Sequence, residues 1–175
     1  MYLIIGALYN ASVEGDLMMV EYLVSKGAHS WEDALRGAGE LGEINLLIYF
    51  LDKGAQNIDE AINNSCYSGN VGAVEFLLSC RTTQEDNSFL SSACNSENLE
   101  MIKLFDSTNE EDWNDFFPSA CESGSLEIVK YFINKGHFFF NNYFHSFFFF
   151  FKKIKKMKFL EMKKNENQKK NFLKK

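Results

Sequence analysis

The 175-residue chain is 46% hydrophobic with a formal charge of −6, which allows one continuous core of ordinary domain size. The charge is unevenly spread: residues 1–136 hold 7 Lys/Arg against 22 Asp/Glu, a net −15, and residues 137–175 hold 11 Lys against 2 Glu, a net +9. So acidic a body excludes nucleic acid as its partner, because duplex affinity rests on neutralising phosphates with Lys and Arg; the basic tail carries no reader motif.

The opening segment, Tyr2 to Tyr9, is apolar but short. It has no basic run and no small-residue cleavage pattern, so it is read as half of a repeat and not as a signal peptide. Ile4 and Leu8 sit where Trp31 and Leu35 sit one period later.

That period dominates the chain. Aligned on Gly15, Gly42, Gly69, Glu97 and Gly124, the sequence repeats at gaps of 27, 27, 28 and 27 residues. Four positions before each marker stands a small residue: Ala11, Ala38, Ser65, Ala93 or Ala120. Apolar residues recur two, five and eight positions after it, as in Leu17, Val20 and Leu23 or Ile44, Leu47 and Phe50, with a further one at nine, as in Val24. This is helical spacing, not strand alternation. Self-similarity at a fixed period marks a stacked repeat array, and one unit cannot bury its apolar face alone.

Each unit reads as two short helices. Ser30-Trp-Glu-Asp33 has the form of a capping box, and Asn57 and Asn109 open similar segments. Ala34, Leu35 and Ala38 then form a narrow apolar stripe, and the marker Gly42 ends the first helix. The second helix starts at a capping position held by Asp16, Glu43, Asn70, Asn98 or Ser125. Lys26-Gly27, Lys53-Gly54 and Lys135-Gly136 close it, with a cation in the last turn and a glycine free to turn left-handed. The fourth unit is the least regular: its marker is Glu97, Asp106 stands at an apolar position, and no Lys-Gly follows. Lower local stability is expected there.

Cys66, Cys94 and Cys121 share one repeat position. Stacked helices lie roughly 8–10 Å apart, beyond the ~7 Å between Cα atoms that a disulfide spans. The cysteines are read as reduced, buried small hydrophobes, which points to an intracellular protein. There is no C-x-x-C pair, and His29, His137 and His145 are not at ligand spacing; neither metal nor cofactor is expected. No phosphate-cradling loop or nucleophile elbow occurs, and no His, Lys or Ser recurs beside the acids, so an enzyme is not expected.

The segments Gly15-Asp-Leu-Met-Met-Val-Glu-Tyr-Leu-Val-Ser-Lys-Gly-Ala28 and Gly124-Ser-Leu-Glu-Ile-Val-Lys-Tyr-Phe-Ile-Asn-Lys-Gly136 resemble the second half of an ankyrin repeat. The resemblance spans residues 1–136 through five units. The family's Thr-Pro-Leu-His turn falls on Asp33-Ala-Leu-Arg36 and its equivalents, where only the apolar third position persists. The units are about six residues shorter than the family's typical repeat, and the loss falls where its β-hairpin would be. The expectation is an all-α, ankyrin-like solenoid of about five helix–turn–helix repeats with little or no β-hairpin. Hairpin-poor units with Trp-x-x-Ala-Leu and Lys-Gly-Ala resemble the ankyrin proteins of large DNA viruses.

The resemblance implies a non-catalytic scaffold that binds a protein through the first helices and the residues just before each marker. Carried over, the candidate contacts are Glu14, Trp31, Glu32, Glu40, Leu41, Asp59, Tyr67, Ser68, Asn95, Trp113, Asn114 and Glu122. Trp31 and Trp113 read first as staples of the helix start against the preceding unit, and otherwise as exposed anchors. The acids read either as a solvated face or as an acidic groove for a basic partner. A monomer is expected, in the host cell cytoplasm if the protein is viral.

At His137 the repeat stops. Nine of residues 137–151 are Phe, and Lys152 onward is rich in Lys, Asn and Glu. The tail, 137–175, reads as a capping helix, as a frameshifted or disordered end, or as a membrane-surface anchor through residues 138–160, too short to span a bilayer. The last reading would make the protein a membrane-tethered adaptor; the second, a truncated remnant of a longer repeat protein.

Overall fold

The structure, a computed structural model, describes residues 2–81, 89–105, 113–135 and 152. The side chains of residues 2–5, 113 and 114 lie outside this description. So do the Asn109 cap, Asp106, Gly136 and every reading of the tail from residue 137 except the backbone and exposure of Lys152. Among the described residues every regular element is an α-helix, as the period requires.

The chain divides into two compact units, Met1–Glu110 and Glu111–Lys175. The first unit holds four helix pairs: α1 (Tyr2–Glu14) with α2 (Leu17–Ser25), α3 (Trp31–Leu41) with α4 (Ile44–Asp52), α5 (Ile58–Ser68) with α6 (Val71–Cys80), and α7 (Phe89–Asn95) with α8 (Leu99–Phe105). The first helices stack in one row, α1 on α3, α3 on α5, α5 on α7; the second helices α4, α6 and α8 follow in another. This is the layered array of a helical solenoid. The second unit holds one described pair, α9 (Trp113–Ser123) and α10 (Leu126–Asn134), in which the rings of Phe117 and Phe132 meet at 6.3 Å.

The marker is a left-handed turn in all five repeats. Gly15, Gly42, Gly69 and Gly124 have φ of 72°, 84°, 80° and 83°, and Glu97, the one described non-glycine residue with positive φ, has 57°. An L-residue is strained there and glycine is not. At Gly42 space also decides, because a Cβ would fall 2.7 Å from the Asn70 side chain. The Lys-Gly close is a Schellman turn in the first two pairs: the Gly27 N–H donates to the Val24 carbonyl and the Ala28 N–H to the Leu23 carbonyl, and Gly54 and Ala55 repeat this on Leu51 and Phe50. The closing lysines fold back over a tyrosine one turn earlier, with Lys26, Lys53 and Lys135 lying 5.3, 5.3 and 5.5 Å from the Tyr22, Tyr49 and Tyr131 rings.

The core is built from the expected small residues four before the marker, all buried, and from the positions five and eight after it, with Leu23 of the first pair half-buried. Small residues let the first helices approach closely: a Cβ on Gly39 would meet the Ala61 carbonyl oxygen at 2.8 Å. Two expectations need correction. The second helix buries the residue four after the marker (Leu46, Ala73, Met101, Ile128), while those two and nine after it are half- or fully exposed. Within the first unit the helix turns its face toward the neighbouring pair as well as toward its own partner, so its apolar stripe is displaced from the one the spacing suggested.

The second correction concerns the caps. Asp16, Glu43, Asn57 and Ser125 do accept a backbone N–H of their own helix. Ser30 makes no such bond, and neither does Asn70. The Asn70 amide instead reaches the preceding repeat, donating to the carbonyls of Gly39 at 3.3 Å and Glu40 at 2.7 Å. Asn98 does both: its amide donates to the Gly69 carbonyl at 3.4 Å and its carbonyl accepts the Glu100 N–H at 2.9 Å. α7 and α8 are the shortest of the described helices, seven residues each, in the unit that departs most from the repeat.

Candidate interaction surface

Because α1, α3, α5 and α7 stack side by side and run the same way, their C-terminal ends line one edge of the first unit. Glu14 ends α1, Glu40 and Leu41 end α3, Tyr67 and Ser68 end α5, and Asn95 ends α7. Of these all but Glu40 are exposed, and two are apolar: Leu41 is 40% exposed and Tyr67 66%. Helix C-termini carry partial negative charge, and Glu14, Glu40, Glu43 and Glu97 add carboxylates around the same turns. The edge therefore combines apolar contacts with an electronegative rim. In the second unit Glu122 occupies the equivalent position on α9 and is exposed.

The other candidates divide. Trp31 is half-buried at the start of α3, beside an exposed Glu32. Trp113 and Asn114 begin α9, but their side chains lie outside the described residues. Glu40 and Asp59 are engaged within the array. The Tyr9 hydroxyl of α1 donates to Glu40, which raises the Tyr9 pKa, with burial adding to the effect. Asp59 accepts two hydrogen bonds from Arg81, at 2.6 and 3.0 Å, while the same guanidinium lies 5.0 Å over the Phe89 ring.

This lattice extends along the first-helix face. Arg36 pairs with Glu60 of the next repeat at 2.8 Å and with Asp33 at 3.2 Å, and lies 5.0 Å over the Tyr9 ring of the previous one. The bond to Glu60 is the main cause of its raised pKa. Ser92 donates to Asn63 at 3.0 Å. Tyr9 and Arg36 escaped the motif reading because their residue types differ. The available signal was position: Tyr9, Arg36, Asn63 and Ser91 are the polar residues six before the first four markers.

Cys66, Cys94 and Cys121 are buried, and none of the four cysteines is in a disulfide. Burial pushes the thiols of Cys66 and Cys121 up to about 12, with Glu122 adding to the effect at Cys121. Such thiols are poor nucleophiles and poor ligands at neutral pH. Among the described residues no group of three or more His, Cys, Asp or Glu could hold a metal ion, and no helix is long and apolar enough to cross a membrane.

Stacked helix pairs with a left-handed turn between the helices and a Lys-Gly close define an ankyrin-like repeat fold. A solved structure agrees: the crystal structure of the human ASB11 ankyrin repeat domain superposes with a TM-score of 0.56 and 18% sequence identity, covering 74% of this chain and 68% of that one. No protein-family model matches the sequence, and no curated protein matches it. The fold is that of ankyrin repeats.

Proposed function

We propose that this protein is a non-catalytic scaffold that binds another protein along the edge formed by Glu14, Leu41, Tyr67, Ser68 and Asn95. The observation that carries this reading is the exposure of Leu41 and Tyr67 on a row of helix C-termini in an ankyrin-like array. Large apolar side chains in an electronegative setting suit a partner segment that offers apolar and basic residues together. The sequence resemblance to ankyrin proteins of large DNA viruses extends the proposal to a virus-encoded effector acting on a host protein in the cytoplasm. The test is affinity capture from host cells with the wild-type chain and with a Leu41→Glu/Tyr67→Ala variant. A partner retained by the first and lost by the second supports the proposal; identical captured sets would refute the assignment of the edge.

A further inference from the structure

The marker turns carry a second apolar row beside the one formed by Leu41 and Tyr67. The residue two after the marker opens each second helix, and inside the array it is not buried: Ile44 is 40% exposed, and Val71 and Leu99 are half-buried. Leu126, at the same position in the second unit, is 46% exposed, so the pattern belongs to the repeat. Charge around the rows is one-sided. No Lys or Arg falls between two residues before and three after any marker, whereas Glu14, Asp16, Glu40, Glu43, Glu97 and Glu100 do. Lys53 sits at the far end of α4. The third turn, from Tyr67 to Gly72, holds no charged residue and lies between the acids of the second turn and those of the fourth. The surface is continuous across these turns: a Cβ on Gly42 would meet the Asn70 side chain, and one on Gly69 would lie 3.7 Å from the Ser96 Cβ.

We infer that the occupant of this surface is an amphipathic helix of a partner protein, its apolar face seated on both rows and its flanks rich in Lys or Arg. This rests on the reading of the edge given above and adds the conformation and charge of the partner segment. Two dimensions select a helix. The rows belong to the two helices of a pair and lie roughly 8–10 Å apart, which a helix about 10–12 Å across covers. Successive repeats are also roughly 8–10 Å apart, and seven residues of helix rise about 10.5 Å. Side chains at i and i+7 therefore meet neighbouring repeats, while those at i+3 and i+4 share the same face and reach the other row. An extended strand turns alternate side chains away and meets one row. Charge completes the match. Cations on the helix flanks meet Glu43 on one side of the uncharged third turn and Glu97 and Glu100 on the other, all three exposed, while Ile44 and Tyr67 take the apolar face. An apolar and aromatic centre within a charged rim is the arrangement that concentrates binding energy.

Fluorescence anisotropy of the full chain with labelled synthetic peptides, at about 0.15 M salt to screen diffuse attraction, tests the inference. The probe is a helix of about 21 residues, built from Leu-Lys-Lys-Leu-Leu-Lys-Leu heptads. Its controls are a peptide of the same length with Leu and Lys in strict alternation, and the heptad peptide with Glu in place of Lys. The heptad peptide should bind about ten-fold more tightly than either control. Ile44→Asn and Tyr67→Ala should each weaken it about five-fold. Glu43→Gln should weaken it about two- to five-fold, whereas Asp52→Asn, which removes the same charge at the exposed far end of α4, should change it less than about two-fold. Circular dichroism of every variant should match the wild type. Failure of the heptad peptide to bind, or equal binding of the alternating peptide, would overturn the inference. A loss in Tyr67→Ala without one in Ile44→Asn would defeat the two-row helix and leave the edge reading standing. Indifference to both substitutions would defeat the edge reading as well.

Discussion

The side-chain amide of Asn70 donates to the backbone carbonyl of Glu40 at 2.7 Å, across 30 residues of sequence. It thereby ties the start of α6 to the end of α3, one repeat earlier, where a helix leaves carbonyls without partners. Asp and Asn are equal as helix caps but differ here, since a carboxylate cannot donate and would face two carbonyl oxygens. Asn70→Asp should therefore destabilise the protein by about 1–3 kcal/mol in urea denaturation. An unchanged midpoint would return Asn70 to the ordinary capping role.

Glu97 occupies a left-handed turn that glycine holds in the other four repeats. The strain costs roughly 1–2 kcal/mol for an L-residue. Glu97→Gly should raise stability by about 1 kcal/mol and slow amide hydrogen exchange in α7 and α8. Lower stability in this variant would mean that the Glu97 side chain contributes more than the backbone strain removes.

Glycine inside a helix usually gains from replacement by alanine, by about 0.5–1 kcal/mol. Gly6 and Gly72 have nothing within 4 Å of an added Cβ, and both should follow that rule. Gly37 should not, because its Cβ would lie 2.8 Å from the Tyr9 carbonyl oxygen and 3.0 Å from the Ser12 Cβ. Forcing α1 from α3 costs ~1–3 kcal/mol. Opposite signs for Gly72→Ala and Gly37→Ala in thermal unfolding would establish that close approach of the first helices holds the array together.

The Tyr9–Glu40 bond predicts a pH response. Its phenol has a folded-state pKa raised above the unfolded value, first by the hydrogen bond to Glu40. A raised pKa gives a contribution that is fully present below the unfolded value, about 10, and is lost as pH rises through the folded value. The stability difference between wild type and Tyr9→Phe should be about 1 kcal/mol at pH 7 and shrink above pH about 10. A difference that grows with pH would contradict the assignment.

The sequence displayed the array well because repetition averages out noise: five copies of a small residue, a turn and an apolar pair outweigh any single departure. The stripe on the second helix was less legible. Leu17, Ile44 and Leu126 are apolar yet half-exposed, and Met19, Leu46, Ala73, Met101 and Ile128 are apolar and, after the first, buried. A helix apolar on so wide an arc does not reveal which side is covered. The inter-repeat bonds were illegible for another reason. Arg36 with Glu60 and Tyr9 with Glu40 join unlike residues whose pairing depends on how closely the pairs stack, and Arg81, at the end of α6, holds Asp59 of α5 within one pair. Hence Glu40 and Asp59, chosen for position and charge, prove to be held by neighbours in the array, while Leu41 and Tyr67, chosen by the same rule, project outward.

The central claim, that the marker-turn edge contacts a partner, is tested most directly by site-specific photo-crosslinking in living cells. A photoreactive amino acid would be placed at Tyr67 on the edge, and separately at Glu75 on the exposed face of α6. The account predicts a discrete covalent adduct to another protein from position 67 and none from position 75. An adduct from position 75 alone would contradict it and move the binding surface to the second helices.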